Sequence, residues 1–245
     1  MKRIIVVLMT LLPCFAFAAG SSVPLDKANY DLSDQASLQT GAKLFMNYCS
    51  GCHSTQYQRY ERVARDLGIP NELMQENLMF IKDTKIGALM ENSMSEELGA
   101  KWFGATPPDL TLVARVRGAD WLYTYLRGFY EDPSRPFGVN NTVFKDVGMP
   151  HVLQELQGVP RKAFETQLID GEQKEVYVGI RADGSGEMSS DEYDKAVLDL
   201  VNFMVYSGEP MQLERRSMGW WVMGFLVIFT ILAVLLKKEY FRDLH

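Results

Sequence analysis

Cys49-Ser50-Gly51-Cys52-His53 decides how this chain is read. The spacing is C-x-x-C-H, the signature of covalent c-type haem attachment. Each cysteine can bond one haem vinyl group as a thioether, and the histidine that follows at once can give an imidazole nitrogen to the iron. Such a protein fixes an electron carrier to itself and then governs its potential, access and partners. Other uses of a C-x-x-C pair fit less well. A thioredoxin-type site calls for a βαβ setting, whereas residues 39–48 read as helix. A zinc site takes about four ligands, and outside the leader the chain offers Cys49, Cys52, His53, His151 and the terminal His245. A disulfide between Cys49 and Cys52 would leave His53 without a role.

The ends of the chain supply a compartment. Lys2 and Arg3 precede an apolar run over residues 4–17, and Ala16-Phe17-Ala18 has the small-x-small form of a cleavage site. This reads as a secretory signal peptide, residues 1–18. An N-terminal anchor is the alternative, but the run is short for a span of roughly 20 residues and contains Pro13. Cys14 leaves with the leader, so Cys49 and Cys52 remain for two thioethers. Near the other end, residues 218–236 carry no charge. At about 1.5 Å per residue such a helix reaches roughly 28 Å, close to a hydrocarbon core of about 30 Å. Trp220 and Trp221 fall where indole rings favour the headgroup level. Arg215 and Arg216 flank one side, and Lys237, Lys238 and Arg242 the other. That bias is small, so the leader sets orientation: residues 19–213 in the periplasm, residues 218–236 as a transmembrane helix, residues 237–245 in the cytoplasm.

The chain has 25 Lys+Arg against 31 Asp+Glu. Such a charge argues against nucleic acid as a partner and suits steering of a basic protein. Between the ends the sequence predicts one domain. Residues 35–52 read as a helix running into the haem motif, with Gly41, Leu44, Phe45 and Tyr48 at helical spacing. Residues 68–105 read as short helices and loops, and Thr106-Pro107-Pro108-Asp109-Leu110 stops regular structure. Residues 110–117 and 119–128 look helical, and residues 131–143 read as a loop. Residues 164–180 carry two β-like runs around Asp170-Gly171, a hairpin signal. Residues 190–206 read as a helix capped by Ser189 or Ser190, with Val197, Val201, Met204 and Val205 on its apolar face. Residues 207–216 read as a linker.

A low-spin electron carrier takes a second axial ligand beside His53, commonly a Met sulfur or a second His. Among the 13 methionines, Met149 stands in a rigid turn, Val147-Gly148-Met149-Pro150, where Gly148 permits close approach. His151 is the competitor two residues on. The residues alone leave both open.

At this point the chain resembles the cytochrome c1 family. The haem segment with Tyr57 and Tyr60 is similar, as is Lys101-Trp102-Phe103-Gly104-Ala105 running into Pro107-Pro108-Asp109-Leu110, Arg115 and Arg117. Leu126-Arg127-Gly128-Phe129-Tyr130 with Gly148-Met149-Pro150 resembles the methionine segment. Met188-Ser189, Glu209-Pro210 and Arg215-Arg216-Ser217-Met218-Gly219 resemble the approach to a single anchor. The order of these segments between leader and anchor makes the resemblance specific. It implies a mainly α fold: a class I cytochrome c-like haem domain with a small β-hairpin insertion and one C-terminal transmembrane helix. It implies one haem c on Cys49, Cys52 and His53, with Met149 as sixth ligand. Arg117 becomes a candidate partner of a haem propionate, since a buried carboxylate calls for a cation. The carbonyl of Pro108 becomes a candidate acceptor for the His53 ring N–H. Trp121, Tyr123 and Tyr125 are equally haem-pocket aromatics or core.

The function implied is electron transfer within a ubiquinol–cytochrome c reductase. One electron would arrive from a Rieske iron–sulfur protein and leave to a c-type cytochrome, with quinol oxidised on a cytochrome b partner, in a dimeric complex of the bacterial inner membrane. No further cysteine pair, a simple leader and a short inner tail point to a bacterial complex of few subunits. The alternative is a free membrane-tethered c-type shuttle, against which the long insertion between His53 and Met149 argues. A terminal-oxidase haem subunit would more naturally show an N-terminal anchor or further C-x-x-C-H copies.

Overall fold

The computed structural model describes residues 23–169 and 172–242. The expected leader, the expected hairpin turn at Asp170-Gly171 and residues 243–245 of the expected inner tail lie outside the described residues. Helix α1 (Gln35–Leu44) begins at Asp34, whose carboxylate accepts from the Ser37 amide at 3.0 Å and caps the first turn. It widens into a π-helical turn, Phe45–Cys49, closed by Ser50 N–H on the Phe45 carbonyl at 3.0 Å. The helix therefore stops at the first cysteine of the motif rather than running through it.

Strand β1 (Thr55–Arg59) leaves the motif and pairs antiparallel with β2 (Leu89–Met90), Thr55 opposite Met90. Helices α2 (Tyr60–Asp66) and α3 (Asn71–Leu78) lie between them. Helix α4 (Glu96–Phe103) is capped by Ser95 and ends at Gly104, whose φ of 79° suits a residue without Cβ. After the two prolines, α5 (Val113–Arg117) and α6 (Ala119–Arg127) are separated only by Gly118. Strand β3 (Phe129–Glu131) pairs antiparallel with β4 (Val139–Asn141), which lies inside the stretch read as loop. Side chains make that pair possible: Asn140 Nδ2 donates to Asp132 at 3.0 Å, and Asn141 Nδ2 donates to the Tyr125 carbonyl at 2.8 Å. Period-two hydrophobicity carries no trace of this.

A short helix α7 (Gln154–Gln157) precedes the hairpin of β5 (Pro160–Ile169) and β6 (Glu172–Ala182), longer at both ends than expected. The hairpin is tied to β3 by Arg161 on Glu131 at 2.8 Å and by the Lys162 ammonium 3.9 Å above the Tyr130 ring. Helix α8 (Ser190–Gly208) opens on a capping box of Ser189 and Glu192.

The main core forms where α1 crosses α8. A Cβ on Gly41 would stand 2.0 Å from the Asp199 carbonyl oxygen, so only glycine lets the backbones meet there. Phe45 and Phe203 pack with centroids 5.5 Å apart. Beside them lies a buried polar knot: Ser37 Oγ donates to Asp199 at 2.6 Å, and Asn202 Nδ2 donates to Ser37 Oγ at 2.9 Å and to the Asp31 carbonyl at 2.7 Å. Helices α5 and α6 pack against α8 as well. A smaller cluster of Phe129, Val139 and Val147 takes in Tyr125 and Met149.

Only Glu209, Pro210 and Met211 separate α8 from α9 (Gln212–Tyr240), so the expected linker is mostly helix. Pro210 lacks the N–H to continue α8. Glu209 pairs with Arg115 at 3.2 Å and with Arg215, and Arg62 reaches Met211 Sδ at 3.2 Å. Helix α9 includes residues 218–236 and is long and apolar enough to cross a membrane, with none of its residues buried. Among the described residues the fold is thus helix-rich, with three two-stranded antiparallel pairs and one C-terminal apolar helix.

Candidate functional site

The candidate residues fall into two groups. In the first, Cys49 closes the π-helical turn and its carbonyl accepts from Cys52 N–H at 3.1 Å and from His53 N–H at 2.9 Å. Both thiols and the imidazole thus sit within one turn. Cys49 is buried and Cys52 half-buried, and neither is in a disulfide. Burial pushes the Cys49 thiol up to about 12 and raises that of Cys52. A redox-active C-x-x-C pair needs the opposite shift, toward thiolate.

His53 Nδ1 lies 2.7 Å from the carbonyl oxygen of Pro108. A carbonyl only accepts, so Nδ1 carries the proton and the lone pair falls on Nε2, which has no hydrogen-bond partner among the described residues. Burial lowers the His53 pKa, opposed by the Pro108 carbonyl and by Asp109, and so favours the neutral ring. The Pro108 loop is stapled to the motif from both sides. Leu110 N–H donates to the Ser54 carbonyl at 2.9 Å. The Asp109 carboxylate accepts from Gln56 N–H at 2.8 Å and from Thr111 N–H at 2.9 Å.

The second group is built on α6. Residues 117, 121 and 125 follow at intervals of one helical turn, spanning α5 and α6. The Arg117 guanidinium lies 5.2 Å above the Trp121 ring, and Trp121 stacks on Tyr125 at 4.9 Å and 9°. The Tyr125 hydroxyl donates to Met149 Sδ at 3.4 Å. Arg117 has no carboxylate partner among the described residues. Phe129 meets Tyr125 edge-on at 5.3 Å and stacks on His151 at 4.8 Å. His151 is buried, its Nε2 is 2.7 Å from Gln157 Oε1, and burial lowers its pKa to about 4.

The structure thus brings His53 and Pro108 into contact, and joins Arg117 to Met149 through two rings. It ties Tyr123 elsewhere, under the Arg127 guanidinium at 4.5 Å, which itself pairs with Asp26 and Asp194. Two cavities of about 300 and 450 Å³ flank residues 91–93. His53 and Phe80 border the first, and Cys52 and Pro108 the second; neither is lined by Met149, Trp121 or Arg117. Three contributors escaped the sequence reading: Asp109 as a staple, Phe129 as a wedge, and the hydroxyl of Tyr125. The spacing of Trp121 and Tyr125 from Arg117 is a signal for the last. The donor set fits a haem c: two thiols at attachment spacing, a neutral imidazole with an open Nε2, a half-buried thioether and an unpaired guanidinium.

These features, on a helical domain ending in an apolar helix of membrane length, define the class of membrane-anchored c-type haem proteins. A family model described as the Cytochrome C1 family matches residues 27–244, and the chain belongs to that family. A cytochrome c1 of Allochromatium vinosum is 50% identical over 244 residues, covering 100% of this chain and 99% of the relative. A protein of Nitrosomonas europaea named ammonia monooxygenase gamma subunit is 42% identical, covering 100% and 99%. A cytochrome c1 of Blastochloris viridis is 26% identical, covering 85% and 81%. Proteins of the cytochrome c1 family are the redox subunit of the cytochrome bc1 complex, carry a covalent c-type haem, and assemble with cytochrome b and a Rieske iron–sulfur protein.

Proposed function

We propose that this chain holds one haem c as the electron relay of a ubiquinol–cytochrome c reductase, through Cys49, Cys52, His53 and Met149. The haem supplies a one-electron ferric/ferrous couple. The chain's own residues hold it and set its properties. Cys49 and Cys52 provide thioether links. Pro108 fixes the His53 tautomer so that Nε2 is the ligating atom. Met149 would hold the iron through its thioether sulfur, and thioether ligation would raise the potential relative to two histidines. His151 is a poor rival, since its Nε2 faces Gln157 and its ring lies against Phe129. Arg117 neutralises a propionate. The electron comes from the Rieske protein and goes to a c-type cytochrome, while quinol is oxidised on cytochrome b, in a dimeric complex. Residues 1–18 direct export, residues 19–213 lie in the periplasm, residues 218–236 span the inner membrane, and residues 237–245 face the cytoplasm.

The observation that carries this reading is the 2.7 Å contact of His53 Nδ1 with Pro108, inside an intact C-x-x-C-H turn. The first test is a dithionite-reduced minus oxidised spectrum of the chain purified from its native membrane in mild detergent. Bands of b-type and c-type haem together support the reductase. A c-type band alone from an intact preparation, or co-purification with monooxygenase subunits instead of cytochrome b, overturns it. Met149→Leu then tests the sixth ligand: the expected outcome is a lower potential and lost quinol-to-cytochrome c turnover with haem still attached. An unchanged potential rejects Met149.

A further inference from the structure

We infer that Tyr125 is a positioning residue for Met149, its hydroxyl holding the thioether and setting the potential of the haem that the thioether ligates. The inference rests on the reading of Met149 as sixth ligand. A thioether sulfur has two lone pairs. Tyr125 Oη–H takes one of them at 3.4 Å and leaves the other for the iron.

The hydroxyl is aimed by its surroundings. Trp121 covers one face of the Tyr125 ring at 4.9 Å and 9°. Phe129 abuts it edge-on at 5.3 Å, and Phe129 is itself backed by the stacked His151 ring. The backbone of Tyr125 is pinned from a separate segment, because Asn141 Nδ2 donates to its carbonyl at 2.8 Å. A tyrosine locked on its faces and backbone delivers its proton to one place. Met149, by contrast, is unbranched with rotatable bonds and would sample several rotamers by itself. The turn that carries it packs through Val147 and Met149 on the small cluster that holds Phe129 and Val139.

The electronic consequence has a sign. A hydrogen bond draws density from the sulfur and weakens its donation to the metal. The ferric state depends on that donation more than the ferrous state, so the bond favours reduction and raises the potential. Tyr125→Phe keeps the ring and its stacking and removes only the proton donor.

The experiment uses the full chain in its native membrane complex, read by redox titration and by the long-wavelength sulfur-to-iron band of the ferric haem. The expected result is that Tyr125→Phe keeps the band, or weakens it with the haem still covalently bound, and shifts the midpoint potential downward. An unchanged or higher potential with the band intact overturns the inference and leaves Met149 as ligand. A missing band in the unmodified chain overturns the Met149 reading and the inference with it. Should Tyr125→Phe fail to assemble, Trp121→Leu frees the ring while keeping the hydroxyl. A downward shift then supports the inference, and an unchanged potential overturns it.

Discussion

The two halves of the proposed haem site are made in opposite ways. The core of the His53 half is local: five consecutive residues fold into one turn, and the Pro108 loop is fastened to it by the His53 ring, one backbone bond and one carboxylate. The Met149 half is assembled from α6, β3, β4 and a turn twenty-four residues beyond Tyr125, meeting through side chains. Attachment chemistry needs fixed spacing, which a contiguous motif guarantees. Tuning needs an adjustable contact, which converging side chains allow.

That contrast can be broken by substitution. Phe129 is buried to 1% exposure between Tyr125 and His151. Phe129→Ala should cost about 3–5 kcal/mol, seen as a lower melting temperature of the purified chain. It should lose the sulfur-to-iron band while haem stain on a denaturing gel persists. Loss of the stain as well would show that the halves do not separate.

Gly41→Ala should do the reverse. Its Cβ meets the Asp199 carbonyl at 2.0 Å and pushes apart the crossing that carries Cys49. Overpacking of this kind costs about 1–3 kcal/mol or more, and the yield of haem-stained chain should fall. Equal yield would mean that the motif does not lean on the α1–α8 crossing.

Asp109→Ala sharpens the comparison further. It strips acceptors from the Gln56 and Thr111 amides, a loss of about 1–2 kcal/mol. Melting temperature should drop with the sulfur band retained, since the Met149 half is untouched. Gly148→Ala should be the mildest, about 1 kcal/mol or less, because its Cβ meets the Phe103 carbonyl at 3.3 Å and an exposed turn can give by a few tenths of an ångström. A large effect there would show the turn to be as tightly held as the motif.

What the sequence disclosed follows the same division. The C-x-x-C-H turn, the Ser189 cap and the apolar span are local patterns, and each is visible in a few adjacent residues. The β1–β2 and β3–β4 pairs are not, since strands of two to five residues are held by partners such as Asp132 and Asn140 rather than by alternation. The π-helical turn at Phe45–Cys49 leaves no compositional mark. Arg117, Trp121 and Tyr125 were each noticed at their positions. Their joining into a path to Met149 needed the fold, because the last contact spans a loop and two strands. The hairpin is legible in its two β-like runs, but its full length is not, since Pro160 and Arg161 also enter pairing.

The junction at Glu209, Pro210 and Met211 sets a leash. Three extended residues reach about 10 Å, and Glu209 is clasped by Arg115 on one side and Arg215 on the other. If α9 spans the bilayer, a domain on so short a leash would stay at nearly one height above it. In the proposed reductase it would work as a fixed station rather than a ferry, so any distance an electron must be carried to or from it would be covered by the movement of other molecules.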